Sequence, residues 1–310
     1  MIPNPLARAY ERNLVWVLGS PRSGSTWLWA MISHEPGIKG INEPLIGWHL
    51  GPFMCDQPTV RAEDLDLSNF TLRRQQAGRD QSFFSESYRD VWLPGLRDLL
   101  DERLYAHVAR SVGHRRARET LLVLKEPHGS QSADLIMAAQ PRARLLFLLR
   151  DGRDVVDSEL AANLEGSWVT TAFPAAGIAP GDRLEFVVQS AYKWLWRTEV
   201  VERAFADHPG PKLLVRYEEL RRDTGPQLAR ILEWLGRKPE PAAIDALVAR
   251  HAFESIPEAE RGTGHFHRSA TPGSWSKNLS PEEQEAVLAI LGPKLTALGY
   301  VDGDRATKTI

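Results

Sequence analysis

Cysteine is nearly absent: the 310 residues contain one, Cys55. No intramolecular disulfide can form, which fits a reducing compartment, and no catalytic-cysteine signature surrounds that thiol. Long apolar runs are missing too. No stretch approaches the roughly 18 consecutive apolar residues of a membrane-crossing helix. Arg8, Glu11 and Arg12 interrupt the N-terminal segment, the wrong pattern for a secretory signal. These absences predict a cytoplasmic protein with no membrane partner. There is little net charge, −2 from 38 Lys+Arg and 40 Asp+Glu. Without a global basic field a nucleic-acid partner is not expected, and any anion site must be local. Internal repeats, low-complexity linkers and His/Cys/Asp clusters at metal-ligand spacing are also absent, so no metal is expected.

What remains is an ordinary globular composition, 43% hydrophobic and 25% charged. One stretch organises it. The apolar run Val15–Leu18 ends in Gly19-Ser20-Pro21-Arg22-Ser23-Gly24, and an amphipathic segment follows from Ser25. That reads as strand, tight loop, helix, and free N–H groups at a helix start favour an anion. Gly19, four residues, Gly24, Ser25 and Thr26 fit the phosphate-loop template, except that Ser25 replaces its lysine. An ordinary triphosphate site is disfavoured. Arg22, inside the loop, is the available cation.

Further along, apolar runs 121–124, 145–149 and 212–217 alternate with helical periodicity over 86–112, 130–140, 184–205, 224–235, 242–250 and 281–298. Ser280 with Glu283 forms a capping box for the last helix. Continuous apolar strands alternating with helices predict an α/β fold, a single domain over 1–310 with a central parallel sheet covered on both faces. Ligands then bind at the carboxyl ends of the strands, where Arg22, Lys125 and Arg150 stand. Loops near 46–84, 164–182 and 255–275, rich in Gly, Pro and aromatics, are left to line a site. Pro44 is expected to hold Glu43 extended.

Four segments together resemble the sulfotransferases that use 3′-phosphoadenosine-5′-phosphosulfate (PAPS), whose fold is related to P-loop kinases. Pro21 to Leu28 is similar to the family's 5′-phosphosulfate loop, with arginine at position 22 as in carbohydrate-type and many bacterial members. Arg150-Asp151-Gly152-Arg153-Asp154-Val155-Val156-Asp157-Ser158 is similar to the 3′-phosphate motif, in which an arginine and a serine eight positions on grip the phosphate. An arginine fork suits phosphate, and two helical turns bring Ser158 back to the same face. Val215 to Leu220 resembles the segment near the adenine. Arg268 to Trp275 aligns with the C-terminal segment, although Ser269 and Ala270 depart from its Lys-Gly pair.

The resemblance implies sulfuryl transfer from PAPS to a hydroxyl, or less readily an amine, with PAP released and no metal required. The acceptor would be a carbohydrate, a glycosylated molecule or an aromatic small molecule. Nucleotide contacts fall to Arg22, Ser23, Gly24, Ser25, Thr26, Trp27, Arg150, Ser158, Tyr217 and Arg268. Arg22 and Lys125 would neutralise charge around the reacting group. The base favoured by the resemblance is Glu43, because Asn42-Glu43-Pro44-Leu45 is similar to the family's Glu-Pro segment, with His128 second and Glu126 third. Two readings compete: a P-loop small-molecule kinase or NTP-binding protein, and a nucleotide-binding module without activity. No match to the short C-terminal dimer motif of the cytosolic members is present.

Overall fold

A computed structural model describes residues 4–50, 80, 81, 84–174 and 177–301. Cys55 and most of the 46–84 loop lie outside the described residues. Five strands form one parallel sheet: β1 Leu14–Leu18, β2 Ile38–Asn42, β3 Leu121–Lys125, β4 Arg144–Leu149 and β5 Lys212–Arg216. Their order across the sheet is β2-β3-β1-β4-β5. From β1 the chain moves to β2 and β3 on one side, and then to β4 and β5 on the other. That reversal leaves a crevice at the carboxyl ends of β1, β3 and β4.

Strand alternation explains the continuous apolar runs. Leu14, Trp16 and Leu18 of β1 join Leu122, Leu124, Leu145, Phe147 and Leu149 in one core. The helices Ala133–Ala139, Gly152–Asn163, Arg183–Asp207 and Pro281–Ala297 pack on that face. Val15 and Val17 join Val123, Leu146, Leu148 and Val215 on the other, under the helices Ser25–Ser33 and Thr224–Trp234. Both faces are covered, so both parities of each strand must be apolar. Each fully buried Val or Leu contributes about 1.5–3 kcal/mol.

The predicted helices form within a few residues of the expected bounds, and Ser280 with Glu283 makes the expected capping box. The irregular loops differ in detail. Residues 164–182 contain a helix, Trp168–Ala172, capped by Ser167. Residues 46–50 also form a helix. Trp275–Asn278 is a further helical turn. Tyr217 is the first residue of a helix, Tyr217–Arg222, rather than the last of β5. Among the described residues, no helix is long and apolar enough to cross a membrane.

Candidate active site

The loop after β1 begins with Gly19, whose backbone φ is +149°; a side-chain Cβ there would sit 2.1 Å from the Leu148 carbonyl oxygen on β4. The Ser130 hydroxyl anchors this residue twice, accepting from Gly19 N–H at 2.9 Å and donating to its carbonyl at 2.7 Å. Gly24 precedes the helix Ser25–Ser33 with φ +83°, and its missing Cβ makes room for the Tyr217 ring. No side chain caps this helix. Its first N–H groups have no intrahelical acceptor and face the crevice end of β1. Among the described residues, the buried hydroxyls of Ser20 and Ser23 likewise find no partner. A row of unsatisfied donors at a helix start is a cradle for an oxyanion.

Arg150 stands one residue past β4. Its Nη1 donates to the Arg22 carbonyl at 2.8 Å, its guanidinium lies 4.4 Å from the Tyr217 ring centroid, and its buried Nε has no partner among the described residues. Arg22 turns its side chain the other way. With φ +66° it leaves the loop, and its Nε donates to the Ser158 hydroxyl at 3.1 Å. Burial pushes its guanidinium down to about 10, opposed by nearby Glu159. The guanidinium lies over Trp168 at 5.6 Å and Phe266 at 5.0 Å. Segments from the 164–182 and 255–275 loops therefore meet at Arg22. Trp27 faces Tyr217 edge-on, with centroids 6.4 Å apart, and its Nε1 donates to the His251 carbonyl at 2.8 Å.

Lys125, at the end of β3, is 3% exposed and bridges two elements. Its Nζ donates to Thr26 Oγ1 at 2.8 Å and pairs with Glu43 Oε1 at 2.6 Å. The other Glu43 oxygen lies 3.9 Å from His128 Nε2. Burial, and then the charge of Arg197, push the His128 imidazole below its ordinary 6.5. Glu43 is not extended, contrary to the expectation from Pro44: its φ is +51°, and Leu45 follows at +58°. Two constraints override the proline. The Glu43 N–H continues the β2–β3 ladder by donating to the Lys125 carbonyl at 2.8 Å. The Glu126 carboxylate beneath accepts the N–H of Ile46 at 3.3 Å and is also bonded by that of Leu45, pulling the chain around. Burial raises Glu126 to about 7.

Arg268 reaches the same region but is held by a carboxylate. Its two terminal nitrogens both donate to Asp157, which also accepts from Ser274 Oγ and Asn278 Nδ2. Asp154 accepts the N–H of Gly273 at 2.8 Å. Asp154 and Asp157 thus fasten the segment 268–278 to the Gly152–Asn163 helix. Sequence reasoning missed this, as it missed Ser130, Glu159 and Arg197. The first two carry no local signal. Arg197 does: it falls in the apolar stripe Val187, Ala191, Trp194, Val201 of its helix, a position where a charge is out of pattern. Every non-glycine residue with positive φ among the described residues, Arg22, Glu43, Leu45 and Ala270, lies in or beside this site, as strained backbone at functional sites does.

Comparison with known proteins gives the family and the fold. Residues 15–241 match the family model described as "Sulfotransferase family". Protein-tyrosine sulfotransferase 1 of Danio rerio is 22% identical over 305 residues, covering 96% of this chain and 75% of that protein. Mouse sulfotransferase SULT7A1, solved with PAP, superposes with a TM-score of 0.53 at 12% identity, over 97% of this chain and 90% of that one. Retinol dehydratase, solved with androsterone and PAP, superposes with a TM-score of 0.51 at 17% identity, over 92% and 81%. These structures share the fold. The family match spans β1 through β5 and the loop, Arg150 and Ser158, and so the chain belongs to the sulfotransferase family.

Proposed function

We propose that this chain transfers a sulfuryl group from PAPS to a hydroxyl of a carbohydrate, glycosylated or aromatic small-molecule acceptor, with Glu43 as general base. The observation that carries the reading is the chain Glu43–Lys125–Thr26, which ties a half-exposed carboxylate to the anion loop through one buried ammonium. The buried, unpaired Ser20 and Ser23 hydroxyls and Arg150 Nε fit a ligand bearing phosphate at two places. PAP in the related structures supports the same nucleotide.

In this reading the N–H groups and hydroxyls of Ser23 to Trp27 hold the 5′-phosphosulfate. Arg150 and Ser158 take the 3′-phosphate, Arg268 stands beside them, and Trp27 and Tyr217 flank the base. Glu43 removes the acceptor hydroxyl proton as the acceptor oxygen bonds to sulfur. The bond from sulfur to the bridging oxygen breaks, and the electron pair leaves with PAP. Lys125, bonded to Thr26 of the loop, supplies positive charge to the sulfonate and the leaving oxygens, while Arg22, turned out to Ser158, adds its charge from the side of the 3′-phosphate. His128, whose Nε2 lies 3.9 Å from Glu43, is the second candidate for the base. The aromatic side chains Trp168 and Phe266 form an acceptor wall at Arg22.

The test is a PAP titration against ATP, followed by an acceptor screen with PAPS read by mass gain. Micromolar PAP binding with ATP much weaker, and a sulfated product, is the expected result. Preferential ATP binding would favour the kinase reading, and PAP binding without any transfer the inactive module.

A further inference from the structure

We infer that Ser130 is a positioning residue for the 5′ end of the nucleotide: its hydroxyl replaces a missing backbone rung between β1 and β3 and so fixes where the anion loop starts. This rests on the sulfuryl-transfer reading and adds to the donor grip a residue that stands behind the loop.

The parallel ladder between β1 and β3 ends at Val17, whose carbonyl accepts the N–H of Glu126 at 3.0 Å. Alternation makes Gly19 the next residue to present its N–H and carbonyl to the β3 side. Continuing strands would offer it the Glu126 carbonyl and the His128 N–H. Instead the chain leaves the sheet at Pro127 and enters the short helical turn Pro127–Ser132, the place in a turn where proline's fixed φ is favoured. The Glu126 carbonyl now accepts the N–H of Gly129 at 3.2 Å. Without a substitute, both polar groups of Gly19 would be buried and unpaired, a costly state. The Ser130 hydroxyl is that substitute. It accepts from Gly19 N–H at 2.9 Å, donates to the Gly19 carbonyl at 2.7 Å and lies 3.4 Å from the Glu126 carbonyl. One hydroxyl, with a donor and two lone pairs, serves both groups. Ser130 is completely buried.

Position is what this rung supplies. Toward β4, Gly19 meets the Leu148 carbonyl so closely that no Cβ fits. The residue is thus held between that carbonyl and the Ser130 hydroxyl, at the root of the loop that leads to the helix start at Ser25. Arg150 holds the far half of the loop through the Arg22 carbonyl. Loss of Ser130 therefore loosens the root of the 5′ cradle and leaves Arg150 and Ser158 in place. The same turn carries a built-in control. Ser132, equally buried, donates to the Gly47 carbonyl at 2.6 Å, on the helix Ile46–Leu50 rather than on the loop.

The experiment titrates PAP and adenosine 3′-monophosphate, to millimolar concentration, into the full chain by calorimetry. Wild type, Ser130→Ala and Ser132→Ala are compared, and Tm is recorded for each. The monophosphate carries the 3′ group alone, so wild type should bind PAP the more tightly. Ser130→Ala should weaken PAP about 10-fold and change the monophosphate by less than about twofold. Ser132→Ala should lower Tm as Ser130→Ala does and leave both affinities unchanged, which separates positioning from a general loss of stability. Ser130→Cys, a weaker donor of similar shape, serves if the alanine variant does not fold, with a smaller loss confined to PAP. Equal losses for the two nucleotides, or an undiminished PAP affinity, overturn the assignment. If wild type binds neither nucleotide, or PAP no better than the monophosphate, the PAPS reading of the loop falls first and takes this inference with it.

Discussion

On one side of Arg22, the Gly19–Thr26 loop, Arg150 and Ser158 stand on β1 and β4, strands flanked on both edges and buried along almost their whole length. On the other side, Glu43 follows β2, an edge strand buried at its first residue only, and its partners Lys125 and His128 come from the end of β3 and the turn after it. The first half is held by backbone: the Leu148 carbonyl against Gly19, Ser130 on both polar groups of the same residue, the Arg22 carbonyl on Arg150. The second half is held by acidic side chains, Glu43 on Lys125 and Glu126 under Leu45 and Ile46. A nucleotide shared by a whole family needs a rigid cradle. An acceptor that differs between members is met by parts that change without disturbing the sheet.

The contrast predicts separable defects. Glu43→Gln should give the largest, lowering turnover by about 10²-fold or more while leaving PAP affinity nearly unchanged; single-turnover rates alongside PAP titration check both halves at once. A full rate would remove Glu43 as base and turn attention to His128. Arg150→Gln should do the opposite, weakening PAP by about 10–10²-fold through loss of a charged hydrogen bond, read by calorimetry. Ser158→Ala should cost only a few fold in PAP affinity, as a neutral hydrogen bond worth about 1 kcal/mol predicts. If it affected turnover far more than binding, Ser158 would act through Arg22, to which it is bonded.

The smallest effect concerns pH. Glu126 is raised from 4.5 to about 7 in the folded chain. The native state then holds this proton more tightly than the unfolded one, so stability falls as pH rises from about 4.5 toward 7. In Glu126→Gln the decline of Tm over that interval should be shallower. The remaining slope belongs partly to Asp101, which burial raises to about 6. An unchanged slope would mean that Glu126 is already ionised and that the Leu45–Ile46 turn is held by charge.

The same division marks what the sequence discloses. Strands buried on both faces must be continuous apolar runs, so the sheet and the residues at or beyond the strands' carboxyl ends, Arg22, Lys125 and Arg150, are legible from spacing. Asp154 and Asp157 are visible in the 150–158 segment, but their partners, Gly273 and Arg268, are more than a hundred residues away. Glu43 was misjudged in conformation because the proline rule is local, whereas the ladder bond to Lys125 and the pull of Glu126 are tertiary. The Trp168–Ala172 helix escaped notice because its five residues are too few to show a period.

The left-handed residues around Glu43 bear on attempts to make this chain more robust. Leu45, at φ +58° and 39% exposed, is the kind of position a thermostability screen would select for glycine, relieving about 1 kcal/mol of backbone strain. That gain would loosen the turn that aims the carboxylate, so selection for heat tolerance alone should drift toward variants that still bind nucleotide and no longer turn over. The left-handed turn at Glu43 and Leu45 is where durability and turnover pull against each other, and a screen on this scaffold should score both.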